Sequence, residues 1–129
     1  MKSSRGEIKI CDILDAAGLV YKEEYSFPDL ISTSGRPLRF DFCVFDDNGD
    51  IDFLIEYQGI QHYEPIDFAG KGEEWANEMF KSNQRRDKIK RDYCVENNIP
   101  LIEIPYWEIK NIENILLDKI KDLTKQRVL

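Results

Sequence analysis

The stretch RFDFCVFDDNGDIDFLIEYQG, residues 39–59, constrains the fold more than any other part of the chain. Two apolar runs flank Asn48-Gly49, and Asn-Gly is a strong two-residue hairpin signal because both turn positions favour positive φ. The expected strands cover about residues 38–46 and 51–58. With 48 and 49 as the loop, 47 faces 50, 46 faces 51, and Asp41 faces Glu56; Gln58 lies two residues on, opposite Arg39. Like charges directly opposed, with Cβ atoms about 5 Å apart, destabilise a strand pair. The flanks RFDFC and FLIEYQG are too apolar for a solvated edge, so the two acids need a cation or a shared proton. Hard divalent cations such as Mg²⁺ take oxygen ligands, often from one or two carboxylates. The alternative is a slipped register with both acids in water, which is the expectation for Asp46, Asp47, Asp50 and Asp52.

The rest of the chain supplies further elements around this hairpin. Ser4 and Glu7 have capping-box spacing, and GEIKICDILDAAG continues with helical periodicity, Ile10, Cys11, Leu14 and Ala17 forming its inner face. LVYKEEYSF is an expected strand closed by Pro28, and residues 29–37 read as loop. Residues 59–72 are irregular, and a long helix is expected over 73–97. IPLIEIPY reads as a short buried strand. A closing amphipathic helix, WEIKNIENILLDKIKDL, aligns Ile109, Ile112, Leu116, Ile120 and Leu123 on one stripe. The fold class is therefore α/β, with a single mixed β-sheet flanked by helices in the order α-β-β-β-α-β-α. Its 129 residues suit one domain spanning 1–129.

Apolar residues make up 42 %, which suits a packed core and excludes a disordered chain. No apolar run approaches the roughly 18 residues of a membrane span, and MKSSRGEIK has no signal-peptide apolar region, so a soluble, cytoplasmic protein without membrane contact is expected. Cys11, Cys43 and Cys94 are scattered, which argues for reduced thiols rather than a disulfide framework or zinc site. AGKG lacks P-loop spacing, so no nucleotide cofactor is expected. Trp75 and Trp107 are expected to pack. The net charge of −7 argues against sequence-blind polyanion binding, yet KSNQRRDKIKR, residues 81–91, carries a local +5. Its cations Lys81, Arg85, Arg86, Lys88, Lys90 and Arg91 either form a solvated helix face or contact phosphates.

An Asp in one strand followed by Glu-x-Gln in the next resembles the core of the PD-(D/E)XK nucleases, with Gln58 in the place usually held by Lys. The order Glu7, Asp41, a variable position, His62 and Asp87 is similar to the EDxHD branch of that superfamily, which includes very-short-patch mismatch-repair endonucleases and phage homing endonucleases. The resemblance covers roughly residues 5–106. It implies a restriction-endonuclease-like core, Mg²⁺-dependent hydrolysis of DNA phosphodiesters with Mn²⁺ able to substitute, and a bacterial or phage setting. By position it makes Asp41 the main metal ligand, Glu56 a second, His62 the general base and Asp87 the group that orients it. Glu7 becomes an outer acid near the metal, or else only closes the capping box with Ser4. Gln58 could place a water but supplies no charge; Lys90, one turn after Asp87, could substitute for the Lys.

The expected activity is nicking of DNA or, as a homodimer, cutting of both strands, with Arg85, Arg86, Lys88, Lys90 and Arg91 on the phosphate backbone. The rival reading is a non-catalytic DNA- or protein-binding module on a decayed nuclease scaffold. A small-molecule metal hydrolase would use the same carboxylates but leaves the basic stretch unexplained.

Overall fold

The computed structural model describes residues 4–128; residues 1–3 and 129, which the sequence reading counted in the domain, lie outside the described residues. Helix α1 (Arg5–Ala16) begins at Ser4, whose hydroxyl accepts from the Glu7 amide at 3.2 Å. Strands β1 (Val20–Ile31), β2 (Pro37–Phe45) and β3 (Ile51–Gln58) follow. A 3-10 turn at Ile60–His62 leads through a loop to helix α2 (Glu73–Glu96). Strand β4 (Leu101–Pro105), a second 3-10 stretch at Tyr106–Asn111 and helix α3 (Ile112–Val128) complete the chain. The class is α/β, with one four-stranded mixed sheet in the spatial order β1-β2-β3-β4. The first two pairings are antiparallel and β3 pairs with β4 in parallel. That parallel pairing needs a crossover, and α2 provides it.

The sheet is covered on both faces. Ile10 and Leu14 of α1 and Ile112 and Leu116 of α3 pack on Phe42, Val44, Phe53, Ile55, Ile102 and Ile104. On the other face, Cys94, Ile89 and Tyr93 of α2 pack with Leu30, Leu38, Phe40, Cys43 and Leu54. Ala17, expected on the inner face of the first helix, lies beyond its end and is exposed, and Ile13 packs instead.

Pro28 does not close β1, which runs on to Ile31. β1 is an edge strand, where a residue without an N–H costs no ladder bond. The register shifts between Ser26 and Ile31, and the turn to β2 is made by residues 32–36, with the Ser32 amide bonded to the Arg36 carbonyl at 2.8 Å.

The Asn48-Gly49 turn is also not the two-residue form. The Asp46 amide donates to the Asp50 carbonyl at 2.8 Å, and only Gly49 takes a positive φ, of 84°. Asp46 is not simply solvated: its carboxylate accepts from the amides of Asn48 and Asp50 at 2.9 and 3.0 Å, closing a wider loop. Phe45 therefore pairs with Ile51, one position out from expectation. The register then shifts by one residue, and Val44, Cys43 and Phe42 face Phe53, Leu54 and Ile55. The longer loop and the bulge cancel.

Candidate functional site

The next position in that register places Asp41 opposite Glu56. The β2–β3 ladder ends at Phe42–Ile55, and there the Asp41 carboxylate accepts the Tyr57 amide at 2.7 Å. Glu24, opposite Asp41 across β1–β2, has a φ of 51°. Phe40 and Phe42 join cores on opposite faces although strict alternation would put them on one. The backbone thus turns over at Asp41, and its side chain replaces a ladder partner at the mouth between β2 and β3.

Glu56 is 6 % exposed. Burial raises its pKa to about 8; the Asp41 charge and a shared hydrogen bond add to the rise, and Lys90 opposes it. The Lys90 ammonium sits on the Glu56 carboxylate and over the Phe40 ring, 5.4 Å from its centroid. Glu7 on α1 feels Asp41: burial and then the Asp41 charge raise its pKa. Its place depends on Gly6, where a Cβ would stand 2.3 Å from the Tyr57 ring.

His62 and Asp87 meet. His62 Nδ1 lies 2.8 Å from Oδ2 of Asp87, which is 8 % exposed on α2. A carboxylate only accepts, so Nδ1 carries the proton and the lone pair of the neutral ring sits on Nε2. Among the described residues the buried polar or charged side chains are Glu56, Gln58 and Asp87, all three of them candidates from the sequence. Beside the turn bearing His62 a groove is lined by Ile60, Gln61, Ile66, Phe68, Met79 and Asn83.

Sequence reasoning missed Glu103. It is the partner of Glu56 across the parallel β3–β4 ladder and accepts from Gln58 Nε2 at 2.5 Å and from Arg91 Nε at 2.8 Å. The available signal was an acid inside a short apolar strand, LIEIP, the same signal that singled out Asp41 and Glu56. Tyr63 was missed as well; its hydroxyl donates to Gln58 Oε1 at 2.5 Å.

The basic stretch divides. Lys90 and Arg91 turn inward to Glu56 and Glu103. Arg86 bonds Ser82 and Asn83 on its own helix. Lys88 pairs with Asp92 at 2.7 Å on the surface, and Lys81 and Arg85 are exposed. Trp107, expected to pack, lies against Tyr63 with ring centroids 4.6 Å apart, on the surface, where it is 57 % exposed.

Asp41 and Glu56 supply the carboxylate oxygens that a hard divalent cation such as Mg²⁺ or Mn²⁺ takes, although in this structure Lys90 already occupies the Glu56 carboxylate. Among the described residues no set of three or more Asp, Glu, His or Cys converges as a metal-binding group. Any fit to a divalent cation therefore rests on the Asp41 and Glu56 pair alone. Among the described residues no helix is long and apolar enough to cross a membrane.

No family model matches the chain, and no solved structure matches it. Its relatives include uncharacterized proteins of animal viruses. Protein 307L of Invertebrate iridescent virus 6 is 31 % identical over 136 aligned positions, covering 95 % of this chain and 66 % of that protein. Protein 094L of Frog virus 3 (isolate Goorha) is 42 % identical over 83, covering 64 % of this chain and 48 % of that protein. Protein 033L of Invertebrate iridescent virus 3 is 38 % identical over 77, covering 59 % of this chain and 38 % of that protein. The chain thus spans between 38 % and 66 % of the length of these curated relatives, and they come from viruses of invertebrates and frogs rather than from bacteria or phage.

Proposed function

We propose that the protein is a small Mg²⁺-dependent DNA endonuclease on a restriction-endonuclease-like core, hydrolysing phosphodiester bonds by nicking or, as a dimer, by cutting both strands. One observation carries this reading: the His62–Asp87 hydrogen bond of 2.8 Å, made to the helix whose Lys90 pairs with the buried Glu56.

Asp41 and Glu56 would hold the cation, with Glu7 outside them. When bound, the ion supplies positive charge to the non-bridging phosphate oxygens and acidifies an attacking water. His62 takes the water's proton at Nε2. Asp87 accepts from Nδ1–H, fixes the ring's tautomer and orientation, and stabilises the imidazolium that forms. The exposed cations Arg85 and Lys88 would face phosphates, whereas Lys90 is engaged by Glu56 and would have to release it for Glu56 to hold a cation.

A second reading, a non-catalytic DNA- or protein-binding module, draws on the same Lys90–Glu56 contact, which already neutralises one of the two metal-holding acids. Cleavage of supercoiled plasmid with Mg²⁺, Mn²⁺ or EDTA separates the two. Metal-dependent nicking lost in both Asp41→Ala and His62→Ala supports the nuclease. A residual rate about 10²–10⁴-fold lower in His62→Ala is the expected size of a lost general base. Loss in Asp41→Ala alone keeps the nuclease but moves proton transfer away from His62. Salt-dependent DNA binding without cleavage by any metal favours the binding module.

A further inference from the structure

Gln58 stands where a charged Lys would serve catalysis, yet its amide is engaged on both sides within the protein. Nε2 donates to Glu103 Oε2 at 2.5 Å and Oε1 accepts from the Tyr63 hydroxyl at 2.5 Å. Glu103 is itself gripped by Arg91 of α2 through Nε and Nη2, at 2.8 and 2.9 Å. Gln58 is 4 % exposed, so little water competes for these bonds. Tyr63 immediately follows His62, and its ring also leans on Trp107. The turn carrying the imidazole is thus tied to α2 by His62 through Asp87 and by the Gln61 carbonyl, which accepts from Asn83 at 3.3 Å, whereas Tyr63 alone ties it to β3 through Gln58.

We infer that Tyr63 is a positioning residue for His62, held by a strut that runs Arg91–Glu103–Gln58–Tyr63, and that position 58 serves this strut rather than substrate or water. The inference rests on His62 being the base of the proposed reaction. These ties matter because the turn Ile60–His62 is a single 3-10 turn, too short to hold its own shape. A base misplaced by about 1 Å loses up to 10²-fold in rate. The strut also explains why an amide suits position 58. It must donate to one neighbour and accept from the other; Lys can only donate and Glu can only accept.

The chain has one histidine, so its imidazole gives a single set of ring signals. The test uses the full chain and reads two quantities: the tautomer of His62 by long-range proton–nitrogen NMR, and kcat and KM for plasmid nicking. Asp87→Ala is the control that removes the partner of Nδ1. Tyr63→Phe deletes one hydroxyl and keeps the ring against Trp107, so folding is preserved and circular dichroism verifies it. Expected are a shift of the Tyr63→Phe tautomer population toward Nε2–H and a kcat about tenfold lower at unchanged KM. Gln58→Glu, which places two acceptors face to face at Glu103, moves both readouts the same way. Adding Glu103→Gln to it exchanges donor and acceptor and restores them. A Tyr63→Phe protein with the wild-type tautomer and kcat, beside an altered Asp87→Ala, overturns the strut and leaves the nuclease standing. An unaltered tautomer in Asp87→Ala overturns both. A wild-type chain that cuts no DNA, with the tautomer still shifted in Tyr63→Phe, keeps the strut and removes the nuclease.

Discussion

Glu56 and Glu103 are partners across the parallel β3–β4 ladder, and each is drawn to a different cation on α2, Lys90 and Arg91, which are neighbours in sequence. Two carboxylates side by side on adjacent strands repel. Successive residues of a helix point about 100° apart, so one turn of α2 can address both strands only when it lies directly over them. The packing of Ile89, Tyr93 and Cys94 sets α2 over both strands, the two ion pairs follow from that seat, and with it comes the place of Asp87, three residues before Lys90 on the same helix face.

The contribution of Glu56 to the stability of the metal-free protein falls as pH rises from about 4.5 to about 8. Burial raises the native pKa of Glu56 to about 8 from an ordinary 4.5, with Asp41 adding and Lys90 opposing. Between those values the native state holds a proton that the unfolded chain has lost, so the slope against pH is negative, at most roughly 1.4 kcal/mol per pH unit. Urea midpoints in EDTA at several pH values check this. Glu56→Gln removes that share of the slope; parallel curves for the variant and the wild type would refute the assignment.

Lys90→Met destabilises increasingly with pH. Below about pH 6, Glu56 keeps its proton and the loss is small. Near pH 9 the wild type holds an ion pair, whereas the variant must bury a lone carboxylate or keep it protonated against the solution. The expected loss there is about 2–3 kcal/mol, at the low end for breaking a buried pair. Thermal melts at the two pH values decide, and an equal loss at both contradicts the pairing.

Gly6→Ala forces a methyl group into the Tyr57 ring, where a Cβ would stand 2.3 Å away. The expected destabilisation is about 1–3 kcal/mol, as for an overpacked core. Tyr57→Leu in the same chain relieves the clash. A denaturation midpoint for Gly6→Ala at or above that of wild type would show that the helix end can move aside.

Arg85→Ala and Arg91→Ala have opposite signatures. Arg85 is exposed, so under the proposed nuclease function its removal is expected to weaken DNA binding evenly across sequences and lower the salt slope of log K by about 1. Arg91 is tied to Glu103 and half exposed, so its removal costs under about 1 kcal/mol of stability and leaves the salt slope unchanged. Binding titrations from 50 to 200 mM salt, read beside melting curves, distinguish the two.

The sequence alone determined the local order: the Ser4 cap of α1, the two apolar strands of the hairpin, the long α2, and the placing of Asp41 toward Glu56. These are readable because side-chain period, caps and strand alternation are properties of neighbouring residues. Even there, the turn was misread by one residue, and the bulge that corrected it left no local mark. Pro28 was misread because whether a proline is tolerated depends on β1 being an edge strand. Only the tertiary structure decided that His62 meets Asp87, that Lys90 and Arg91 turn inward, that Glu103 joins the site, and that Gln58 is bonded from both sides. Each of those contacts joins separate elements across the sheet face. They depend on where α2 and the turn after β3 settle, which packing of the whole core sets and no local pattern of residues encodes.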